Sequence, residues 1–263
     1  MFDASDLLKL MRPNEVINYQ KMLMQVIEEW KKHDEKPRVI LHSCCAPCST
    51  YTLEFMCNYA DITILFANSN IHPEYEYRKR SSEQRAFIEK FNKQTGNNVK
   101  YIEEPYKPLE FFKIMRGLEK EPEGGLRCSA CFAYRLDIVA KKAVELNYDY
   151  FGSALTISPM KNSQLINKIG FSIQSIYKTK YLPSDFKKNN GYKRSIELCE
   201  IYNVYRQCYC GCIFAADRDK FRQTIKEGKE HGFWLYNNRC RSIGDGLCNK
   251  SCNESQKSFA FRT

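Results

Sequence analysis

Between residues 38 and 152, short apolar runs alternate with longer amphipathic ones, a rhythm that a parallel sheet covered by helices satisfies and most other folds do not. Residues 38–42 read as a buried strand and 49–60 as a helix. Residues 61–67 read as a second strand and 75–91 as a charge-rich helix. A third strand spans 99–102. Pro108 opens another helix, Gly124-Gly125 interrupt the chain before a helix over 129–146, and 148–152 read as a further strand. The expected fold class is therefore α/β, a parallel sheet flanked by helices. Such folds bind ligands beyond the carboxyl ends of their strands. That rule selects three segments, 43–48, 68–73 and 152–159.

Three regions are expected. Residues 1–37 form an N-terminal helical extension, with Val16, Tyr19, Leu23, Val26, Ile27 and Trp30 on one stripe, Asn14 as its cap and Pro37 as its stop. Residues 38–230 form the α/β domain that carries the candidate site, and 231–263 an irregular C-terminal tail. No apolar run approaches the roughly 20 residues of a membrane helix. Asp3 and Asp6 near the N-terminus do not suit a secretory signal. The expectation is a cytoplasmic chain with no membrane partner.

Charge and cysteine content narrow the function. Lys and Arg number 41 against 31 Asp and Glu, a formal charge of +10. That excess favours a polyanionic partner such as nucleic acid, although solubility alone accounts for it equally well. The chain has 13 cysteines, an odd number that cannot all pair within the chain. Where thiols stay reduced, clustered cysteines signal metal or redox chemistry.

Three clusters stand out. His42-Ser43-Cys44-Cys45-Ala46-Pro47-Cys48 puts three thiols at the end of the first strand, where a helix N-terminus favours thiolate. Packing does not demand three cysteines in five positions, so metal or redox work is the better reading. Cys128-Ser129-Ala130-Cys131 sets two sulfurs on one side of a helix start. It suits zinc, an iron–sulfur cluster or a dithiol, and the loop before it favours ligation. Cys210-Gly211-Cys212 brings two thiols within disulfide reach only when bent, and the small ring is strained. Strained disulfides are the labile ones, which points to redox work, with metal ligation by the same pair still open. Cys208 precedes the pair without an assigned role, and Cys240, Cys248 and Cys252 form a looser tail group. Cys57 and Cys199 fit core packing. His72, after the second strand, either positions substrate or makes a loop hydrogen bond.

Residues 177–194 interleave Lys178, Lys180, Lys187, Lys188, Lys193 and Arg194 with Tyr177, Tyr181, Phe186 and Tyr192. Basic side chains contact phosphates while rings stack on unpaired bases, so this stretch reads as an RNA-binding surface. Arg78-Lys79-Arg80 with Arg85 forms a second basic cluster, which a solvated helix face explains nearly as well.

Taken in order, strand-HSCCAPCS, NxNIHPxxEYxxR, the C-x-x-C, SPxK, DFKKxxGYKRS and YRQxYCGC resemble the iron–sulfur, cobalamin-independent epoxyqueuosine reductases over residues 39–214. The resemblance implies a fold similar to the nucleotide α-hydrolase (HUP-like) group. It implies a tRNA carrying epoxyqueuosine as partner, reductive loss of the epoxide oxygen, and an unidentified electron donor. It further implies a [4Fe–4S] cluster on Cys44, Cys45, Cys128 and Cys131, and a redox-active pair at Cys210 and Cys212. Cys48 matches the motif as a neighbouring thiol or an alternative ligand. An additional iron ion is compatible, with Asp185 and Cys45 as its candidate ligands. Two rivals remain: an iron–sulfur tRNA sulfur-transfer enzyme, and a non-catalytic zinc-stabilised RNA-binding module. The first needs a glycine-rich pyrophosphate loop after the first strand, where this chain has Ser43-Cys44-Cys45-Ala46-Pro47-Cys48. The second leaves the strained C-G-C unexplained.

Overall fold

Val39, Ile40 and Leu41 are buried on both faces of their strand, so helices must cover the sheet on either side. The computed structural model describes residues 1–9, 16–207 and 209–214. The strands are β1 (Arg38–His42), β2 (Asp61–Phe66), β3 (Lys100–Glu103), β4 (Tyr150–Ser153) and β5 (Lys180–Tyr181). They form one parallel sheet in the order 3-2-1-4-5. Its helices are α1 (Ser5–Lys9), α2 (Tyr19–Lys32), α3 (Ala46–Met56), α4 (Glu74–Thr95), α5 (Pro108–Met115), α6 (Leu126–Glu145), α7 (Ser163–Gln174) and α8 (Gly191–Ile201). A 3₁₀ turn, Ala154–Ile157, follows β4 directly. Helix α3 packs on α4 and α8, while α6 packs on α5, α7 and strands β1 and β4. The order reverses at β1, and the crevice between the carboxyl ends of β1 and β4 is the ligand position of a doubly wound sheet.

The expected strands fall within two residues of the observed ones, and the α/β class holds. Helix α3 starts three residues earlier than its pattern suggests. Cys45, extended at φ −174°, is its N-cap, and Pro47 sits in the first turn, where a missing N–H costs nothing. Helix α2 is capped by Asn18, whose side chain accepts from the Lys21 N–H at 3.0 Å. Val16 therefore precedes the helix and is 82% exposed, and Asn14 lies outside the described residues. The other stripe residues, Leu23, Val26, Ile27 and Trp30, join the same core as β1. The Trp30 indole N–H donates to the Tyr150 hydroxyl on β4 at 3.1 Å, tying the extension to the sheet. Cys208, Cys240, Cys248 and Cys252, and the tail expected over 231–263, fall outside the described residues. Among the described residues, no helix is long and apolar enough to cross a membrane.

The stretch after β4 contains α7 and β5, which the sequence pattern did not resolve, and α8. Strand β5 is only two residues long, and α7 carries Gly170 in its interior. That glycine has a packing reason. A Cβ at Gly170 would meet the buried Tyr181 ring at 2.2 Å. Replacing a mid-helix glycine by alanine ordinarily gains up to about 1 kcal/mol. Here Gly170→Ala should instead cost about 1–3 kcal/mol through overpacking. A lowered denaturant midpoint at unchanged slope is the expected result.

Candidate metal and redox centre

Beyond β1 the chain turns sharply over a buried polar cluster. The Ser43 Oγ lies 2.8 Å from Ser49 Oγ and 3.1 Å from Gln84 Oε1, and it bonds the Cys45 carbonyl at 3.0 Å. The Asn68 amide donates to the Ser43 carbonyl at 2.8 Å, so its oxygen is left to accept from His42 Nε2 at 3.1 Å. These bonds hold the turn that presents the cysteines. Cys44, Cys45 and Cys48 bring their sulfurs together, at 3.6 Å (44–45), 3.7 Å (44–48) and 3.1 Å (45–48). They are a three-thiol group that could hold a metal ion.

This group forms one wall of a cavity of about 420 Å³ in the crevice between β1 and β4. Cys128 and Cys131, from the first turns of α6, line it, as do Cys210 and Cys212. Of the cysteines expected in the cluster and the redox pair, Cys45 alone does not line the cavity; it is 1% exposed, with its sulfur 3.1 Å from that of Cys48. All three segments selected by the strand-end rule contribute, through Cys44, Asn70 and Ser158 among others.

The Cys210-Gly211-Cys212 segment is docked against the loop after β2. The His72 N–H donates to the Gly211 carbonyl at 2.8 Å, and Ile71 bridges Cys212 in antiparallel fashion. Gly211 has φ +91°, and a Cβ there would meet Ile71 at 3.0 Å, so the bend needs glycine. Cys210 and Cys212 are free thiols, and the Cys212 N–H points to the Cys210 sulfur at 3.4 Å.

Electrostatics sort these thiols. Hydrogen bonds from Cys45 and Cys48, with the Arg135 charge, hold Cys44 well below the usual thiol range. Burial pushes Cys45 up, and the bonds Cys48 makes to its two neighbours push it up too. Cys44 is thus the member of the group most inclined to ionise. The same division recurs at the other wall. A bond from Cys212 and the Lys161 ammonium bring Cys210 down to about 6, while Cys212, the donor, is pushed up. Burial pushes Cys131 up.

Arg80, Arg127, Arg135, Lys161 and Arg206 line the cavity, whereas Glu123 is the one carboxylate among its described lining residues. Arg135 is buried on α6, donates to the Cys131 carbonyl at 3.2 Å and faces the Cys131 and Cys44 sulfurs. Sequence reading missed it, although an arginine four residues after Cys131 lies on the same helix face. A thiol-rich, electropositive cavity suits thiolates bound to a metal or iron–sulfur centre and an anionic ligand.

Several expected residues lie elsewhere. His72 stacks on Phe112 at 4.8 Å and does not line the cavity, and burial brings it down to about 4, so it is neutral near pH 7. Asp185 pairs with Lys187 at 2.7 Å and accepts from Ser163 at 3.0 Å. It belongs neither to the cavity lining nor to the three-sulfur group. The aromatic stretch 177–194 is largely core. Tyr181 and Phe186 are fully buried, Tyr177 bonds Asp137 and Arg194 pairs with Glu54. Tyr192 is the member that reaches the cavity. In the second basic cluster Arg78 pairs with Glu74, Arg85 with Glu103 and Arg80 with Glu76. Cys57 ends α3 and is half-buried, and Cys199 packs in the core beside Arg206.

The sequence has counterparts among known proteins. The family described as Epoxyqueuosine reductase QueH matches residues 39–218. A Staphylococcus epidermidis protein named Epoxyqueuosine reductase QueH is 57% identical over 233 residues, covering 87% of this chain and 98% of that protein. A protein of the same name from Streptococcus pyogenes is 57% identical over 216 residues, covering 82% of this chain and 85% of its own length. A more distant one, from Thermotoga maritima, is 31% identical over 178 residues, covering 67% of this chain and 89% of its own. The match spans both walls of the cavity, from β1 through the C-G-C segment, and on that extent the chain belongs to the epoxyqueuosine reductase QueH family.

Proposed function

We propose that this chain is a cytoplasmic oxidoreductase that removes the epoxide oxygen of epoxyqueuosine at the tRNA wobble position, giving queuosine. One observation carries the reading beyond family membership: three cysteine motifs, distant in sequence, line one electropositive cavity at the switch point of the sheet. A wobble base in a single-stranded loop can be splayed into such a cavity. Its flanking phosphates would meet a basic wall.

The donor set fits an iron–sulfur centre. Cys44 and Cys45 lie side by side, Cys128 and Cys131 share the cavity, and the buried Arg135 offsets thiolate charge. We assign Cys44, Cys45, Cys128 and Cys131 to a [4Fe–4S] cluster, with Cys48 as the alternative to Cys45. Such a cluster supplies electrons one at a time at low potential. Cys210 and Cys212 supply the stoichiometry. Loss of the oxygen consumes two electrons and two protons. Oxidation of the dithiol releases both, so epoxide plus dithiol gives alkene, water and disulfide. A donor outside the chain must then reduce the disulfide.

Anaerobic purification should yield about four irons per chain. A single-turnover reaction on tRNA carrying epoxyqueuosine should release a nucleoside lighter by one oxygen. Zinc alone, without product, would overturn the reductase reading in favour of an RNA-binding module. An intact cluster with sulfur incorporated instead would favour a sulfur-transfer enzyme. Cys210→Ser should keep its cluster and lose multiple turnover, and normal turnover would remove the redox-pair assignment. A further consequence is pH-dependent. Because Cys210 lies near 6, its thiolate is present above that pH and lost below it. Alkylation of Cys210 in the reduced protein should therefore rise through about pH 6, with Cys212 unreactive, as read by peptide mass.

A further inference from the structure

Arg80 reads in sequence as one of a run of surface cations. In the structure it is 1% exposed, and its partner Glu76, one turn earlier on α4, is 3% exposed, with Nε to Oε1 at 2.7 Å. A buried ion pair is weak evidence for stability, because desolvation offsets most of the attraction. The other arm of the guanidinium is more informative. Nη2 donates to the Tyr209 carbonyl at 3.1 Å and Nη1 to the Cys210 carbonyl at 3.3 Å. The fork therefore grips two successive carbonyls at the entry to the C-G-C bend. Its Nη1 lies 3.2 Å from where a Cβ of residue 211 would stand, so it fills the hollow side of the bend. Tyr209 covers the guanidinium, with its ring 5.0 Å away, and its hydroxyl donates to the His72 carbonyl at 2.9 Å.

We propose that Arg80, held by Glu76 and covered by Tyr209, is a positioning residue that keeps the Cys210-Gly211-Cys212 backbone bent in the dithiol state and so sets the reduction potential of that pair. The inference rests on the redox-pair assignment above. Its physical basis is preorganisation. A free C-G-C segment must adopt the bend when its disulfide closes, and that cost makes the disulfide easy to reduce. A segment already bent carries the cost in both states. Closure joins the two sulfurs with loss of two electrons and two protons and starts from that bend. The clamp thus favours the disulfide relative to an unconstrained pair and strengthens the dithiol as a reductant. Only a planar fork reaches two carbonyls and a carboxylate together, so lysine cannot replace it.

The test is an anaerobic titration of the holoenzyme in a dithiothreitol redox buffer, with the Cys210–Cys212 state read by mass after alkylation. Arg80→Lys keeps the charge beside Glu76 and loses the fork. It should move the equilibrium about tenfold toward the dithiol, about 30 mV more oxidising, and slow multiple turnover, with iron content unchanged. Tyr209→Phe removes one hydroxyl and should shift the equilibrium in the same direction by less. A wild-type equilibrium in Arg80→Lys overturns the proposal, since charge without the fork would then suffice. If Arg80→Lys does not fold, Tyr209→Phe decides: an unchanged equilibrium overturns the clamp and a shift toward dithiol supports it. The assignment beneath it fails separately, through normal turnover by Cys210→Ser.

Discussion

The reversal of strand order at β1 is the constraint from which the rest follows. The backbone of β1 is shared between β2 on one edge and β4 on the other. The crossover after β1 leads toward β2 with α3 on one face, and the long return through α6 reaches β4 on the other. The segments leaving the two central strands therefore diverge, and a crevice opens above their carboxyl ends. Chemistry collects there because loop side chains from both halves of the sheet can face one another. Cys44 and Cys48 line the cavity from the β1 side and the turn after β4 contributes as well. The start of α6 and the C-G-C segment complete the lining.

Burying so many sulfurs sets an electrostatic condition. A thiolate removed from water needs a counter-charge or donors. The cavity meets this twice in the same way. Two neighbouring thiols and Arg135 favour the Cys44 thiolate, and Cys212 and Lys161 favour that of Cys210. Arg135 and Lys161 are thus explained by the sulfurs before any nucleic acid is considered. Arg135, four residues beyond Cys131, places its charge among sulfurs from three segments, which no local feature of α6 announces.

Much of the fold was legible because its signals are local. Strand ends, the Gly124-Gly125 break and Pro108 act on neighbouring residues, and their elements fell where the pattern put them. The cysteine motifs were legible for the same reason, since spacing within five residues limits what the sulfurs can do. Misreadings came where a residue type serves two purposes. Tyr181 and Phe186 look like base-stacking rings beside lysines, yet the lysines stay at the surface while the rings turn into the core. Arg80 looks like a phosphate contact in a basic run, yet the helical period turns it inward to Glu76 and the C-G-C carbonyls. Strand β5 was unread because it is two residues long and pairs only with β4.

The sequence by itself determined the alternation that demands a covered parallel sheet, the strand ends where ligands bind, and the thiols available for chemistry. Each follows from interactions between near neighbours along the chain. Tertiary structure alone decided which thiols meet. Cys44, Cys128 and Cys210 come from three segments, and only the divergence of the crossovers at β1 turns them toward one cavity. It also decided which charges stand free and which are consumed. Whether an arginine faces solvent, a carboxylate or a pair of carbonyls depends on burial and packing direction, and neither is a property of any short stretch of chain.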